Sequence, residues 1–344
     1  MRLRHVTALV AVICLASAAA VVVFTWRGEA KLKVFHAGSL TAPMRDFIDA
    51  FAEIKPGVTV ENEVSGSVAA IRKVTELNRT ADVVMVADYK LILEMMMPEY
   101  ADFCLVFASN SMVLAYTDNS KLSGEINVDN WWEILLSDGV KVGFSNPNDD
   151  PCGYRALMVM ALSDLKRNST LLLDELIEGN TNIRYHFDGG HVVLEVPSNL
   201  EVNTDKICIR SKSVELVSLL EEGSLDYAFE YKSVAIQHGL KFIDLPPSLD
   251  LSSPDMSSWY SKVSVVIMCD REDSKTLTGE PILYGLTIPK VSENPQLAAE
   301  FVKMVLGDTG REILRENGQE AINPPLLYGE LPPHLQLEVE VVEG

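Results

Sequence analysis

Between Leu32 and Val86 the apolar patterning alternates between strand and helix, and the strand-to-helix changes fall on short polar turns. Leu32 to Phe35 alternates as a short strand and breaks at Ala37-Gly38-Ser39. A helix follows from about Leu40 to Glu53, with Phe47, Ile48 and Phe51 on one face, and Lys55-Pro56-Gly57 ends it. Val58 to Val64 alternates again. Ser65-Gly66-Ser67 then opens a second helix carrying Val68, Ile71, Val74 and Leu77, and Ala81 to Val86 is an apolar strand. Parallel strands need long crossover connections rather than tight hairpins, so a β-α-β-α-β order predicts a parallel sheet covered on both faces.

The turns also predict chemistry. His36-Ala37-Gly38-Ser39-Leu40, Val64-Ser65-Gly66-Ser67-Val68 and Asn148-Asp149-Asp150-Pro151-Cys152-Gly153-Tyr154-Arg155 each run into an apolar-periodic segment. Helix N-termini carry free N–H groups and partial positive charge, so several converging on one point form an anion site. In a parallel sheet the first two turns fall at the same carboxyl edge.

Beyond Val86, Phe107 to Tyr116 is strand-like and leads to a lobe change near Thr117, and Leu225 to Ala235 is the return path. Between them lie Trp131-Trp132-Glu133, a strand from Val140 to Phe144, the Pro151 helix and an amphipathic helix from Ser213 to Glu222. Strands at Val263 to Met268 and Tyr284 to Ile288 and a helix from Pro295 to Leu306 follow. The expected division is an N-terminal segment 1–30, a first lobe of 31–116 plus 236–344, and a second lobe 117–235. Two α/β lobes joined by two crossings leave a cleft, a common place for a small ligand.

The formal net charge is −20, which argues against a nucleic-acid partner. A free anion is not drawn to such a surface at long range, so an anion site here relies on local dipoles. Arg2, Arg4 and His5 precede an uncharged apolar run from Val6 to Trp26, long enough to span a bilayer. An uncleaved anchor is favoured, with a cleaved signal as the alternative, and the basic start places the folded body outside the cell. Cys14 follows Val12 and Ile13 rather than the small residue a lipoprotein site needs. Cys104, Cys152, Cys208 and Cys269 form no C-x-x-C pair, and an extracellular compartment permits one or two disulfides. Asn78-Arg79-Thr80 and Asn168-Ser169-Thr170 fit the N-glycosylation pattern.

Every candidate residue has a structural alternative. Ser39 and Ser67 suit helix N-caps, and Asp150, just before Pro151, suits one equally well. Arg155 is a cation for an anion or the partner of a carboxylate. Glu215, in the first turn of its helix, is a dipole partner by default. Tyr231 stands on the return strand, where its phenol reaches the cleft or packs in the core. The chain contains no G-x-S-x-G, H-E-x-x-H or G-x-x-x-x-G-K-[ST] motif, and its six histidines are scattered. A binding protein is expected rather than an enzyme. A rival from another class is a phosphoryl-transfer enzyme with Asp149, Asp150 and Glu215 holding Mg2+ or Mn2+.

The segments Phe35 to Leu40, Val64 to Ser67, Phe144 to Arg155 and Tyr231 to Ala235 resemble the archaeal tungstate/molybdate-binding proteins, the extracellular receptors of ABC importers. The Asp149-Asp150-Pro151-Cys152-Gly153-Tyr154-Arg155 run is the most specific piece. The resemblance implies a two-lobed α/β receptor of the periplasmic-binding-protein-like type II fold, with a hinge and an inter-lobe cleft. It further implies a monomer without a cofactor that delivers its oxyanion to an ABC transporter permease. Ser39, Ser67 and Tyr231 match positions that hold the oxyanion oxygens. Asp150 and Glu215 match two carboxylates that coordinate the metal centre, with Glu221 as the alternative to Glu215. A receptor for sulfate or another small solute is the rival within the same class.

Overall fold

The structure is a computed structural model and describes residues 30–272 and 274–342. The N-terminal anchor or signal expected at 1–30 therefore lies outside the described residues, apart from Ala30. Among the described residues no helix is long and apolar enough to cross a membrane.

One sheet has seven strands, in spatial order Glu340–Val341, Glu320–Gly329, Phe103–Ser109, Leu283–Thr287, Val83–Val86, Ala30–Ala37 and Val58–Ser65. Its last three strands are parallel, as the β-α-β-α-β pattern predicts. All four residues of Val83–Val86 are buried because both faces of the sheet are covered. Val83 and Met85 join Leu32 and Val34 against Met44, Phe47 and Phe51 of the helix Thr41–Ile54. Val84 and Val86 join Phe35 against Ala70, Ile71 and Val74 of the helix Ser67–Thr75. On the first face Phe47 and Phe51 meet Phe301 edge-on, with ring centroids 6.5 and 5.2 Å apart. Each such fully buried phenyl contributes roughly 2–3 kcal/mol.

A second sheet runs in the order Lys241–Asp244, Met112–Tyr116, Tyr227–Tyr231, Val142–Ser145 and Ile207–Arg210. Its last three strands are again parallel. The helix Pro151–Arg167 packs in the same core and is buried through most of its length. A four-stranded sheet, Lys275–Thr278, Val263–Ile267, His191–Val196 and Arg184–Asp188, adds a hairpin turned by Gly189 and Gly190 at φ +55° and +89°.

The apolar stretch Phe107 to Tyr116 is not one strand. It breaks at Asn110, whose side-chain oxygen accepts from the Ser111 amide at 2.9 Å, and the two halves pair in different sheets. The chain leaves the seven-stranded sheet there and not near Thr117. The stretch from Leu225 likewise divides into the strand Tyr227–Tyr231 and a short helix, Lys232–Gln237. Three later strands, Lys241–Asp244, Val263–Ile267 and Lys275–Thr278, also pair outside the seven-stranded sheet, which the chain re-enters only at Leu283. The two crossings lie side by side: the Asn110 amide donates to the Ile282 carbonyl at 3.1 Å.

The four described cysteines are free, three of them buried, so the disulfides that the sequence permits do not form. Asn78 and Asn168, the two glycosylation candidates, both hold left-handed backbone, at φ +50° and +51°. Asn168 terminates the Pro151 helix, a position that favours Asn after Gly.

Candidate functional site

In the first sheet the register sets the two serine turns side by side. Ala37 pairs with Ser65, so Gly38-Ser39 and Gly66-Ser67 leave neighbouring parallel strands at one carboxyl edge. Ser39 lies in a 3-10 turn, Gly38–Leu40, that leads into Thr41–Ile54, and its hydroxyl accepts from the Tyr284 phenol at 3.1 Å. Ser67 opens its helix, and its hydroxyl accepts from the Ala87 amide at 3.1 Å, just past the third parallel strand. Neither serine is the N-cap suggested as its structural alternative, for Ala37 and Gly66 hold those positions without a side-chain hydrogen bond. Neither Gly38 nor Gly66 has positive φ, and a Cβ at either would meet nothing within 4 Å. Backbone geometry and protein packing therefore do not account for these glycines, whereas close approach by a ligand would.

The second sheet repeats the arrangement. Tyr231 ends one parallel strand, Ser145 the next and Arg210 the third, so the loops carrying Asp150 and Glu215 rise from the same edge as Tyr231. Asp150 is the N-cap of the Pro151 helix: one carboxylate oxygen accepts from the Cys152 amide at 3.1 Å and the other from the Ser213 amide at 2.8 Å. The second bond ties the Asp150 turn to backbone two residues ahead of Glu215. Glu215 and Glu221 are exposed on the helix Val214–Glu221. Gly153 is demanded by packing, since a Cβ there would lie 2.1 Å from the Ser145 carbonyl oxygen. The Pro-Cys-Gly-Tyr-Arg run thus presses the helix start onto its preceding strand.

Arg155 and Tyr231 are both buried, and a guanidinium N–H donates to the Tyr231 hydroxyl at 2.6 Å. The Arg155 cation also lies over the rings of Tyr154 and Tyr231, at 5.5 and 5.8 Å from their centroids. Burial pushes the Tyr231 phenol well above its ordinary range despite the Arg155 charge, and pushes Tyr154 up to about 12, so both hydroxyls stay protonated at neutral pH.

Side chains join the two edges. Asn110, at the crossing, donates to the Ser233 hydroxyl at 2.8 Å and to the Tyr284 hydroxyl at 2.9 Å, and Tyr284 continues to Ser39. Ser233 lies two residues beyond Tyr231. Arg155 is close enough to influence Tyr284, and Tyr154 feels Asp88, which follows the strand Val83–Val86. Ser39 and Tyr231 therefore belong to one region bounded by both sheets. A surface cleft of about 550 Å3 lined by Asp102, Lys290, Glu330 and His334 shares no residue with this region.

Sequence reasoning missed Glu230 and Gln319. Glu230 is fully buried beside Tyr231; one carboxyl oxygen has no hydrogen-bond partner and the other accepts from the Tyr231 amide at 3.3 Å. Burial pushes its pKa up to about 8, against the pull of the nearby Ser213 hydroxyl. Gln319, also buried, donates to the Ser39 carbonyl at 3.1 Å. A Glu inside the strand Tyr227–Tyr231 was the only available signal. Among the described residues no three His, Cys, Asp or Glu side chains gather into a metal-holding group.

Known proteins are similar to this chain. A family profile described as bacterial extracellular solute-binding protein matches residues 32–320. The molybdate/tungstate-binding protein WtpA of Pyrococcus abyssi is 44% identical over 326 residues, 93% of this chain and 92% of that protein. Among solved structures, the periplasmic molybdate-binding protein of Azotobacter vinelandii superposes with a TM-score of 0.55 at 18% identity, covering 84% of this chain and 98% of that one. The sulfate-binding protein SubI of Mycobacterium tuberculosis gives 0.55 at 15% identity, covering 86% of this chain and 88% of that one. These two likenesses establish a fold that serves different oxyanions, while the profile and the Pyrococcus relative establish kinship. The chain belongs to the extracellular solute-binding protein family, alongside the archaeal molybdate/tungstate-binding proteins.

Proposed function

We propose that this chain is the extracellular receptor of an ABC importer, that it captures tungstate or molybdate between two lobes, and that it catalyses no reaction. Divided by sheet membership, the lobes are 30–109 plus 283–342, and 110–282. The observation that carries the reading is the pair of serine turns brought into register at one carboxyl edge, each beside a glycine with open space over it. Backbone N–H groups, the Ser39 and Ser67 hydroxyls and the Tyr231 phenol hold the oxyanion oxygens there. Close kinship with the Pyrococcus protein supports tungstate and molybdate as the anions.

Asp150 and Glu215 approach the metal centre. A carboxylate beside a dianion repels it unless its oxygen becomes a ligand, and molybdenum and tungsten accept additional hard oxygen ligands. Sulfate cannot expand its shell in this way and meets only the repulsion, so the carboxylates select against it. Both oxygens of Asp150 already accept backbone N–H groups, which fixes the carboxylate in place and leaves further lone pairs for a metal. The adjacent crossings at Asn110 and Ile282 are where closure bends the chain. Delivery to a permease, a monomeric state and attachment through the N-terminal segment complete the proposal.

Calorimetric titration of the purified chain with tungstate, molybdate and sulfate tests it. One-to-one binding of the first two, with sulfate at least about 100-fold weaker, is expected. Comparable sulfate binding would remove the coordination argument, and folded protein that binds none of the three would overturn the function.

A further inference from the structure

Arg155 sits in the first turn and a half of the Pro151 helix, 4% exposed, with its guanidinium on the Tyr231 hydroxyl. A buried guanidinium is ordinarily paired with a carboxylate, because an uncompensated charge removed from water is strongly destabilising. Among the described residues Arg155 makes no ion pair. Its polar contact is a neutral phenol and its other neighbours are two ring faces. The buried carboxyl close by on the same sheet, Glu230, takes its hydrogen bond from the Tyr231 amide instead. Asp88 and Tyr284, both from the other side of the region, lie within electrostatic reach of Arg155 without touching it. The cation is thus oriented and desolvated without a carboxylate in direct contact, where the carboxyl edges of the two sheets meet.

We infer that Arg155 is an anion-binding residue of this site, whose guanidinium supplies the positive charge that the bound dianion lacks. The inference rests on the oxyanion reading above. It gives Tyr231 a second task, that of holding the guanidinium fork so that its remaining N–H groups stay available. It also explains how a site with two carboxylates in a chain of net charge −20 can accept a dianion, since helix dipoles alone would have to balance all of that charge.

A structural arginine and an anion-binding arginine predict opposite behaviour of the ligand-free protein. Arg155→Met keeps the volume and removes the charge. Its ligand-free melting temperature is expected to equal or exceed that of the wild type, while tungstate binds about 30- to 1,000-fold more weakly and the melting-temperature gain on adding tungstate shrinks accordingly. Arg155→Lys, which retains the charge but loses the fork, should fall between them. Tyr231→Phe, which leaves the cation in place, should lose less affinity than Arg155→Met. Wild-type-like tungstate affinity in Arg155→Met, or in Arg155→Lys and Tyr231→Phe an equal loss of ligand-free stability with unchanged affinity, would overturn the inference. Wild-type protein that itself fails to bind tungstate would instead bring down the functional reading on which it stands.

Discussion

At the scale of single residues the site is a set of polar groups that the fold holds in unfavourable surroundings. Glu230 is the extreme case, a buried carboxyl with one oxygen unpartnered and a pKa pushed from 4.5 up to about 8. Between those two values the folded protein keeps a proton that the unfolded chain has released, so stability falls as pH rises through that window and levels off above it. Glu230→Gln removes the titration. Melting curves from pH 5 to pH 9 should show the variant gaining on the wild type across the window, by on the order of 2–4 kcal/mol. Parallel profiles would mean that Glu230 is ionised in the folded protein. Neither the protonated Glu230 nor the unpaired Arg155 was legible in the sequence. Burial and the absence of a counter-ion are tertiary facts, and Glu230 sits on a strand among Tyr227, Phe229 and Tyr231 without any local motif to mark it.

At the scale of elements the sequence was legible where periodicity and turn chemistry agree. The helix Pro295–Leu306 has the limits its pattern predicts, and the strand expected from Val58 to Val64 extends by one residue. The failures have specific causes. The stretch Phe107 to Tyr116 is apolar on either side of Ser109-Asn110-Ser111, and that short polar break, where the chain turns from one sheet into another, was read through as one strand. The Gly189-Gly190 hairpin went unread although the pair suits positive φ and the flanking Arg184–Asp188 and His191–Val196 alternate as strands do. The turns after the parallel strands were read correctly as sharing one carboxyl edge, since every strand of a parallel sheet ends there, while their adjacency comes from the strand order. That placement makes a prediction about the turn itself. Gly66 is not constrained by φ or by packing, so Gly66→Ala should leave the melting temperature within about 2 °C of the wild type. The same substitution should weaken tungstate binding at least about tenfold, because the added methyl occupies space reserved for the anion. Unchanged affinity in a stable variant would place the anion elsewhere.

At the scale of the whole molecule, two sheets of different strand order present their carboxyl edges to one region, and side chains bridge them through Asn110, Ser233, Tyr284 and Ser39. Such a design divides the work. In the proposed site the first sheet offers hydroxyls and amides that any tetrahedral oxyanion can use, while the second offers the fixed carboxylate of Asp150, the exposed Glu215 and the Arg155 cation. On the proposed function, selectivity belongs to closure, when groups from the second sheet reach an anion already held by the first. The sulfate-binding protein of like fold shows that the scaffold by itself does not choose the anion. The central claim is that carboxylate oxygens enter the metal's own coordination shell. Tungsten L3-edge X-ray absorption on the one-to-one tungstate complex tests it most directly, with Asp150→Asn, which keeps a helix-capping oxygen, measured beside it. The account predicts a shell expanded from about four oxygens to about six in the wild type, and a smaller shell with weaker binding in the variant. A tetrahedral shell in the wild type, with full affinity retained in Asp150→Asn, would contradict it.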